Sequence, residues 1–157
     1  MTYSEKEKFD YAFKLHSQGK TNEALKLYEE ILKQNPNNAE VLNLAGIVKL
    51  SKNLPEEAEK LITKAISIKK DAYFYETLAR IYASKGDYKK EIQVLTEATN
   101  NTNCGFEIYF LLGLAFKNNI EYENSEKAYL KALELNPKSE KTCYNLASLY
   151  LFLNNPQ

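Results

Sequence analysis

Three scarcities narrow this 157-residue sequence: one histidine, two cysteines, and no excess of charge of either sign. A lone histidine, His16, cannot supply a Cys/His ligand set or a Ser-His-Asp arrangement, and no nucleophile motif surrounds it. It reads as an exposed helix residue. Cys104 and Cys143 lie 39 residues apart with no C-x-x-C pair. That removes the usual metal and redox motifs and leaves two reduced thiols, as in a cytoplasmic protein. Lys plus Arg is 21 and Asp plus Glu is 21. Nucleic-acid binding rests on neutralising phosphates, so the absence of a basic excess argues against it. The same balance argues against a polybasic membrane contact. No run of about 18 apolar residues exists, so no membrane span is expected, and "MTYSEKEKFDYAF" lacks the apolar core of a signal peptide. No G-x-x-x-x-G-K-[ST], G-x-G-x-x-G or H-E-x-x-H occurs. The carboxylates cluster in "EKEK" and "PEEAEK", the pattern of solvated helix faces. No catalytic residue, metal or cofactor is expected, and the chain does not read as an enzyme.

What is present is repetition. Ala12, Gly46, Ala79, Gly113 and Ala147 recur at intervals of 34, 33, 34 and 34. Ala24, Ala58, Glu91 and Ser125 recur at 34, 33 and 34, and so do Ile31, Ala65, Ala98 and Ala132. Three series share one period and one single-residue deletion. Within each copy the apolar spacing is helical: Tyr11, Ala12 and Leu15, then Ala24, Tyr28, Ile31 and Leu32. Ser4 with Glu7 forms a capping box, and Gly19 and Gly86 stand just past helix ends, where a left-handed residue is needed. Asp87 can cap the helix after Gly86, and Pro55 sits in a first helical turn. Pro36 and Pro137 fall beyond helix ends. These signals predict nine helices, at about 5–18, 22–34, 39–52, 55–69, 72–85, 88–100, 106–118, 122–135 and 140–153.

A 34-residue helix–turn–helix period with these small sites resembles the tetratricopeptide (TPR) repeat. Its signature is clearest in Leu112-Gly113, Phe116, Tyr122, Ser125, Tyr129, Ala132 and Pro137. It recurs in Leu78-Ala79, Tyr82, Gly86-Asp87-Tyr88 and Ala98, and in Tyr11-Ala12, Gly19, Ala24, Tyr28 and Pro36. The second copy carries Ala45-Gly46, Ala58 and Ala65 but lacks the closing proline. The resemblance implies an all-α, right-handed superhelical solenoid forming a single domain over 1–157. Its repeats would span about 5–38, 39–71, 72–105 and 106–139, with a half repeat at 140–157 as a C-terminal capping helix. Such repeats cannot bury their apolar faces alone and must lean on their neighbours.

The resemblance also implies a concave groove, lined by a second stripe on each first helix, in which a peptide or helical segment of another protein is held. The stripe reads Lys6, Phe9, Phe13, His16; Glu40, Asn43, Ile47, Leu50; Tyr73, Glu76, Arg80, Ala83; Glu107, Phe110, Leu114, Lys117; and Lys141, Tyr144, Ser148, Leu151. The candidate partner-binding residues are Phe9, Phe13, Asn43, Ile47, Leu50, Glu76, Arg80, Phe110, Leu114, Lys117 and Tyr144. One TPR subclass binds acidic C-termini through a clamp of Lys and Asn. A clamp begun at Asn43 would continue into Ile47, Thr77, Glu107 and Leu111, so no such clamp is expected. The expected function is a non-catalytic protein-interaction scaffold. The alternatives are a self-association module, including a homodimer through the C-terminal helix, and a targeting domain of a larger protein. The tip Leu151, Phe152, Leu153 is more apolar than a cap should be, so either the chain continues or this end pairs with another molecule. Two departures stand out. Glu91 occupies a small-residue site and should reach the surface or pair with a lysine, and Lys49 should pack its stem while its ammonium reaches water.

Overall fold

The computed structural model describes residues 4–154. Nine α-helices form, and no strand appears among the described residues. They are α1 (Glu5–Ser17), α2 (Thr21–Gln34), α3 (Ala39–Ser51), α4 (Pro55–Ile68), α5 (Ala72–Ser84), α6 (Tyr88–Asn101), α7 (Phe106–Asn118), α8 (Tyr122–Leu135) and α9 (Glu140–Asn154). Every end falls within a residue or so of the sequence expectation. The Ser4–Glu7 capping box is formed from both sides, and the Asp87 carboxylate accepts the Lys90 N–H. The helices divide into two compact units between Lys69 and Lys70. α1 to α4 build the first, and α5 to α9 the second.

Within each repeat a three-residue turn joins the two helices, and one backbone device makes it four times. Gly19, Asn53, Gly86 and Ile120 have φ of 77°, 59°, 70° and 65°. The residue after each donates its N–H back to the last helical turn, as in Lys20 to Leu15 at 2.9 Å and Glu121 to Phe116 at 2.8 Å. This is the Schellman termination, which places one left-handed residue past the helix. The sequence showed it at the two glycines. Asn53 and Ile120 hold the same conformation with a Cβ, because the packed helix pair fixes where the chain must turn. For a β-branched residue this is strained.

The turn folds each second helix back along the first, and the repeating small residues set how close they come. Ala12, Ala24, Ala58, Ala65, Ala79, Ala98 and Ala132 are fully buried. In the first unit, a Cβ added at Gly46 would stand 2.6 Å from Cγ1 and 2.8 Å from Cδ1 of Ile62. In the second, a Cβ at Gly113 would strike the ring of Tyr129, with Cγ at 2.9 Å. Ile62 on α4 and Tyr129 on α8 hold the same position of their repeats, each fully buried. Each is a knob resting on the bare backbone of its partner helix. The Ser125 hydroxyl adds a buried hydrogen bond to the Gly113 carbonyl at 2.7 Å. The cores that follow are local. One gathers Leu15, Tyr28, Ile31, Val41 and Val48. Another gathers Phe110, Tyr129, Ala132, Leu146 and Leu149.

Three expectations are corrected. Tyr11, assigned to the core stripe, is 57% exposed. The buried neighbours Ala12 and Leu15 define the inward face, and Tyr11 points off it. Ala147 continues the small-residue series but is exposed. Among the described residues no second helix packs on it. Glu57, read as part of a merely solvated PEEAEK cluster, meets Lys49 across the helix pair at 2.9 Å.

Two stability predictions follow from this geometry. Gly113→Ala should cost on the order of 1–3 kcal/mol, because a buried aromatic ring cannot step aside. Gly46→Ala should cost less, because its Cβ would meet two atoms of an aliphatic chain at longer distances than the Gly113 Cβ would meet the Tyr129 ring. Denaturation melts of the two variants check the order, and equal melts would contradict the close contact. Ile120→Gly should stabilise the chain by about 1 kcal/mol through relief of left-handed strain, read as a rise in Tm.

Candidate partner-binding surface

In the first unit the inner stripes of α1 and α3 flank a depression of about 350 Å³ lined by Glu5, Lys6, Phe9, Asn38 and Glu40. Glu5 is fixed there by the amides of Asn35 and Asn38 at 3.3 and 3.2 Å. Phe9 stacks on Phe13 with ring centroids 6.3 Å apart. Phe9 also packs on the core, whereas Phe13 is 52% exposed. Ile47 and Leu50 are half-buried. Asn43 is buried, and its Oδ1 has no hydrogen-bond partner. It therefore offers no open surface. His16 is not the exposed residue expected. Its ring stands edge-on to Tyr28, with Nδ1 3.3 Å from the Tyr28 hydroxyl. Burial lowers its pKa below the ordinary imidazole value.

In the second unit α7 touches both α5 and α9, so three inner stripes lie side by side. Glu76 and Arg80 form an ion pair at 2.6 Å in which Arg80 remains largely exposed. Leu114 and Lys117 are half-buried. Tyr144 is 75% exposed. Phe110 differs from these. It packs against Tyr129, and the Lys141 ammonium covers its ring at 4.5 Å. Phe110 is a core residue that α9 roofs over. Its place on the stripe gave no warning of this, since spacing fixes a helix face but not what the next helix sets upon it.

Lys49 behaves as its long stem suggests, with one addition. Its ammonium reaches Glu57 at 2.9 Å and Glu29 at 3.8 Å, and the hydrogen bond to Glu57 chiefly raises its pKa. Glu91 does not behave as expected. It is 3% exposed, and its Oε2 finds no hydrogen-bond partner. The helix pair holds its side chain where Ala24 and Ala58 stand in other repeats, and no lysine reaches it there. Desolvation raises its pKa to about 7. Among the described residues no group of three His, Cys, Asp or Glu could hold a metal. Nor is any described helix long and apolar enough to cross a membrane. Cys104 and Cys143 are free thiols.

Within each unit, helix pairs of near-constant length, closed through small residues, define an all-α helical repeat protein. Two tetratricopeptide-repeat family models match, one over residues 15–81 and the other over residues 72–101 and 106–139. The chain belongs to the tetratricopeptide-repeat family. No curated protein matches the sequence. Solved structures resemble it in fold. A Pseudomonas aeruginosa pilF structure superposes with a TM-score of 0.87 at 18% identity, over 96% of this chain and 69% of that one. A MamA structure from Desulfovibrio magneticus RS-1 gives a TM-score of 0.84 at 21% identity, over 98% and 88%. YrrB, described as a TPR protein with an unusual peptide-binding site, gives 0.75 at 20% identity, over 96% and 78%.

Glu91 generates a pH prediction. Its folded pKa lies above the ordinary 4.5, so the folded chain holds a proton that the unfolded chain releases. Its contribution to stability is complete below about pH 4.5 and is lost as pH rises through about 7. The loss is on the order of 2–3 kcal/mol. Glu91→Gln keeps the shape without the titration. Its Tm should lack this decline between pH 5 and 8, and a decline equal to the parent's would place the effect elsewhere.

Proposed function

We propose that the chain is a non-catalytic protein-interaction scaffold, cytoplasmic, that binds an extended or helical segment of a partner protein along the inner faces of its first helices. The observation that carries this is the exposed aromatic surface on those faces, with Phe13 half out of solvent contact atop Phe9 and Tyr144 three-quarters exposed. Exposed aromatic patches rimmed by polar groups are the ordinary mark of an interaction site. Rigid aromatics beside Lys6, Glu40, Glu76 and Arg80 would give apolar anchoring with polar specificity. Membership of the tetratricopeptide-repeat family supports the same reading, and so does the fold likeness to YrrB. Nothing in the arrangement supplies a sheltered pair of catalytic groups. The anchors are Phe9, Phe13, Ile47, Leu50, Leu114 and Tyr144, with Arg80, Glu76 and Lys117 as charged neighbours. Asn43 and Phe110 shape the surface from beneath.

The test uses a photo-crosslinker placed at Phe13 or Leu114 to identify the contacted segment, which is then synthesised and titrated. Phe13→Glu and Leu114→Glu should each weaken its binding at least tenfold with helical circular dichroism unchanged. Tyr11→Glu, equally exposed but off the stripe, should not. Equal binding by all three would remove the inner faces from the interaction.

A further inference from the structure

One series of the repeat is broken in the first unit by a lysine. Leu15, Lys49, Tyr82, Phe116 and Tyr150 recur at intervals of 34, 33, 34 and 34. Lys49 therefore stands where every other copy carries a large apolar residue. In the second unit that residue is aromatic each time. Tyr150 of α9 reaches back to the preceding second helix, where its hydroxyl donates to Glu126 at 2.5 Å. The Tyr82 ring lies under the Lys90 ammonium, 5.3 Å from the centroid. A ring, a carboxylate and a lysine are the chemistry that the repeat uses at this position.

In the first unit the carboxylates and the lysine are present and the ring is not. A depression of about 320 Å³ lies between α2 and α4 over α3, floored by Leu25, Leu32, Ala45 and Leu61. Lys49 crosses it, with its ammonium 2.9 Å from Glu57 of α4 and 3.8 Å from Glu29 of α2. Both carboxylates are half exposed and can accept from a further donor. A lysine stem is a single chain of methylenes. It covers less of this aliphatic floor than the flat ring of the other repeats would.

We propose that this slot is a second interaction surface, and that its occupant is a tyrosine side chain on an exposed segment of a partner protein. The ring would lie on Leu25, Leu32 and Leu61 with the Lys49 ammonium against its face. Its hydroxyl would donate to Glu29, as Tyr150 donates to Glu126. The charges select this occupant. An acidic side chain would face Glu29 and Glu57, whose one shared cation is already engaged, and a basic one would have to displace Lys49 from them. A leucine would leave the carboxylates with no new donor. The slot is independent of the inner-face reading, because Ala45 and Lys49 stand at i and i+4 on a face of α3 apart from the stripe of Glu40, Asn43, Ile47 and Leu50.

Nuclear magnetic resonance titration of the isotope-labelled full chain tests it, with a short glycine–serine peptide carrying one central tyrosine as the probe. The amide signals of Leu25, Lys49 and Leu61 should shift and saturate with a Kd of about 1 mM, the scale of a single side chain in a shallow site. The same peptide with leucine for tyrosine should bind about fivefold more weakly. Lys49→Tyr plugs the slot from within and should weaken binding about tenfold while Tm holds or rises. Glu29→Gln, at an exposed position, should weaken the tyrosine peptide about threefold and leave a phenylalanine peptide unchanged. No saturation at the slot, equal binding of the leucine peptide, or undiminished binding by Lys49→Tyr overturns the proposal. Binding of both peptides unaltered by Glu29→Gln overturns the hydroxyl contact. Free p-cresol bound at the slot without binding of the tyrosine peptide would make it a site for small phenols and overturn the partner segment.

Discussion

The structure depends on one contact: a large side chain of a second helix pressed onto the small-residue site of the first. Gly46 under Ile62 and Gly113 under Tyr129 leave no room for a Cβ. Close approach brings the two backbones within reach of each other, so that the Ser125 hydroxyl can bond the Gly113 carbonyl directly. Dispersion and burial are won over the length of each pair only if the centre admits this approach. The left-handed turn residues serve the same end. Gly19, Asn53, Gly86 and Ile120 return the chain at the angle that the contact demands, and at Ile120 packing prevails over the local preference of a β-branched residue.

From that contact follows the division between faces. A first helix uses one side for its own partner and another for the neighbouring repeat, and what remains is the inner stripe. Whether a stripe residue is open depends on what the next repeat lays over it. Phe13 stays open, whereas Phe110 is roofed by Lys141 and becomes core. Two phenylalanines at related places in the repeat therefore differ in kind.

This explains what could be read from residues alone. Helix number, ends and turns were legible because caps, prolines and small residues act within one turn of the chain. Family membership was legible because three series kept one period. The state of individual side chains was not. Asn43, Phe110 and Glu91 are buried by helices far along the chain or by the helix across the pair, and Lys49 finds Glu57 in another helix. No spacing within one helix reports on such neighbours. His16 could have been anticipated in part, since Tyr28 lies about two turns into the returning helix, but the pairing across the turn was needed to see it.

Glu91 and Ala147 are the two places where the repeat fails to satisfy its own rule, and they fail differently. Glu91 is a wrong group in a filled site. Its carboxyl is held without a partner for Oε2, and the chain responds by retaining a proton to higher pH. Ala147 is a right group in an empty site, small as the contact requires, with an aromatic on each side and nothing resting on it among the described residues. The first defect is answered inside the molecule, by protonation.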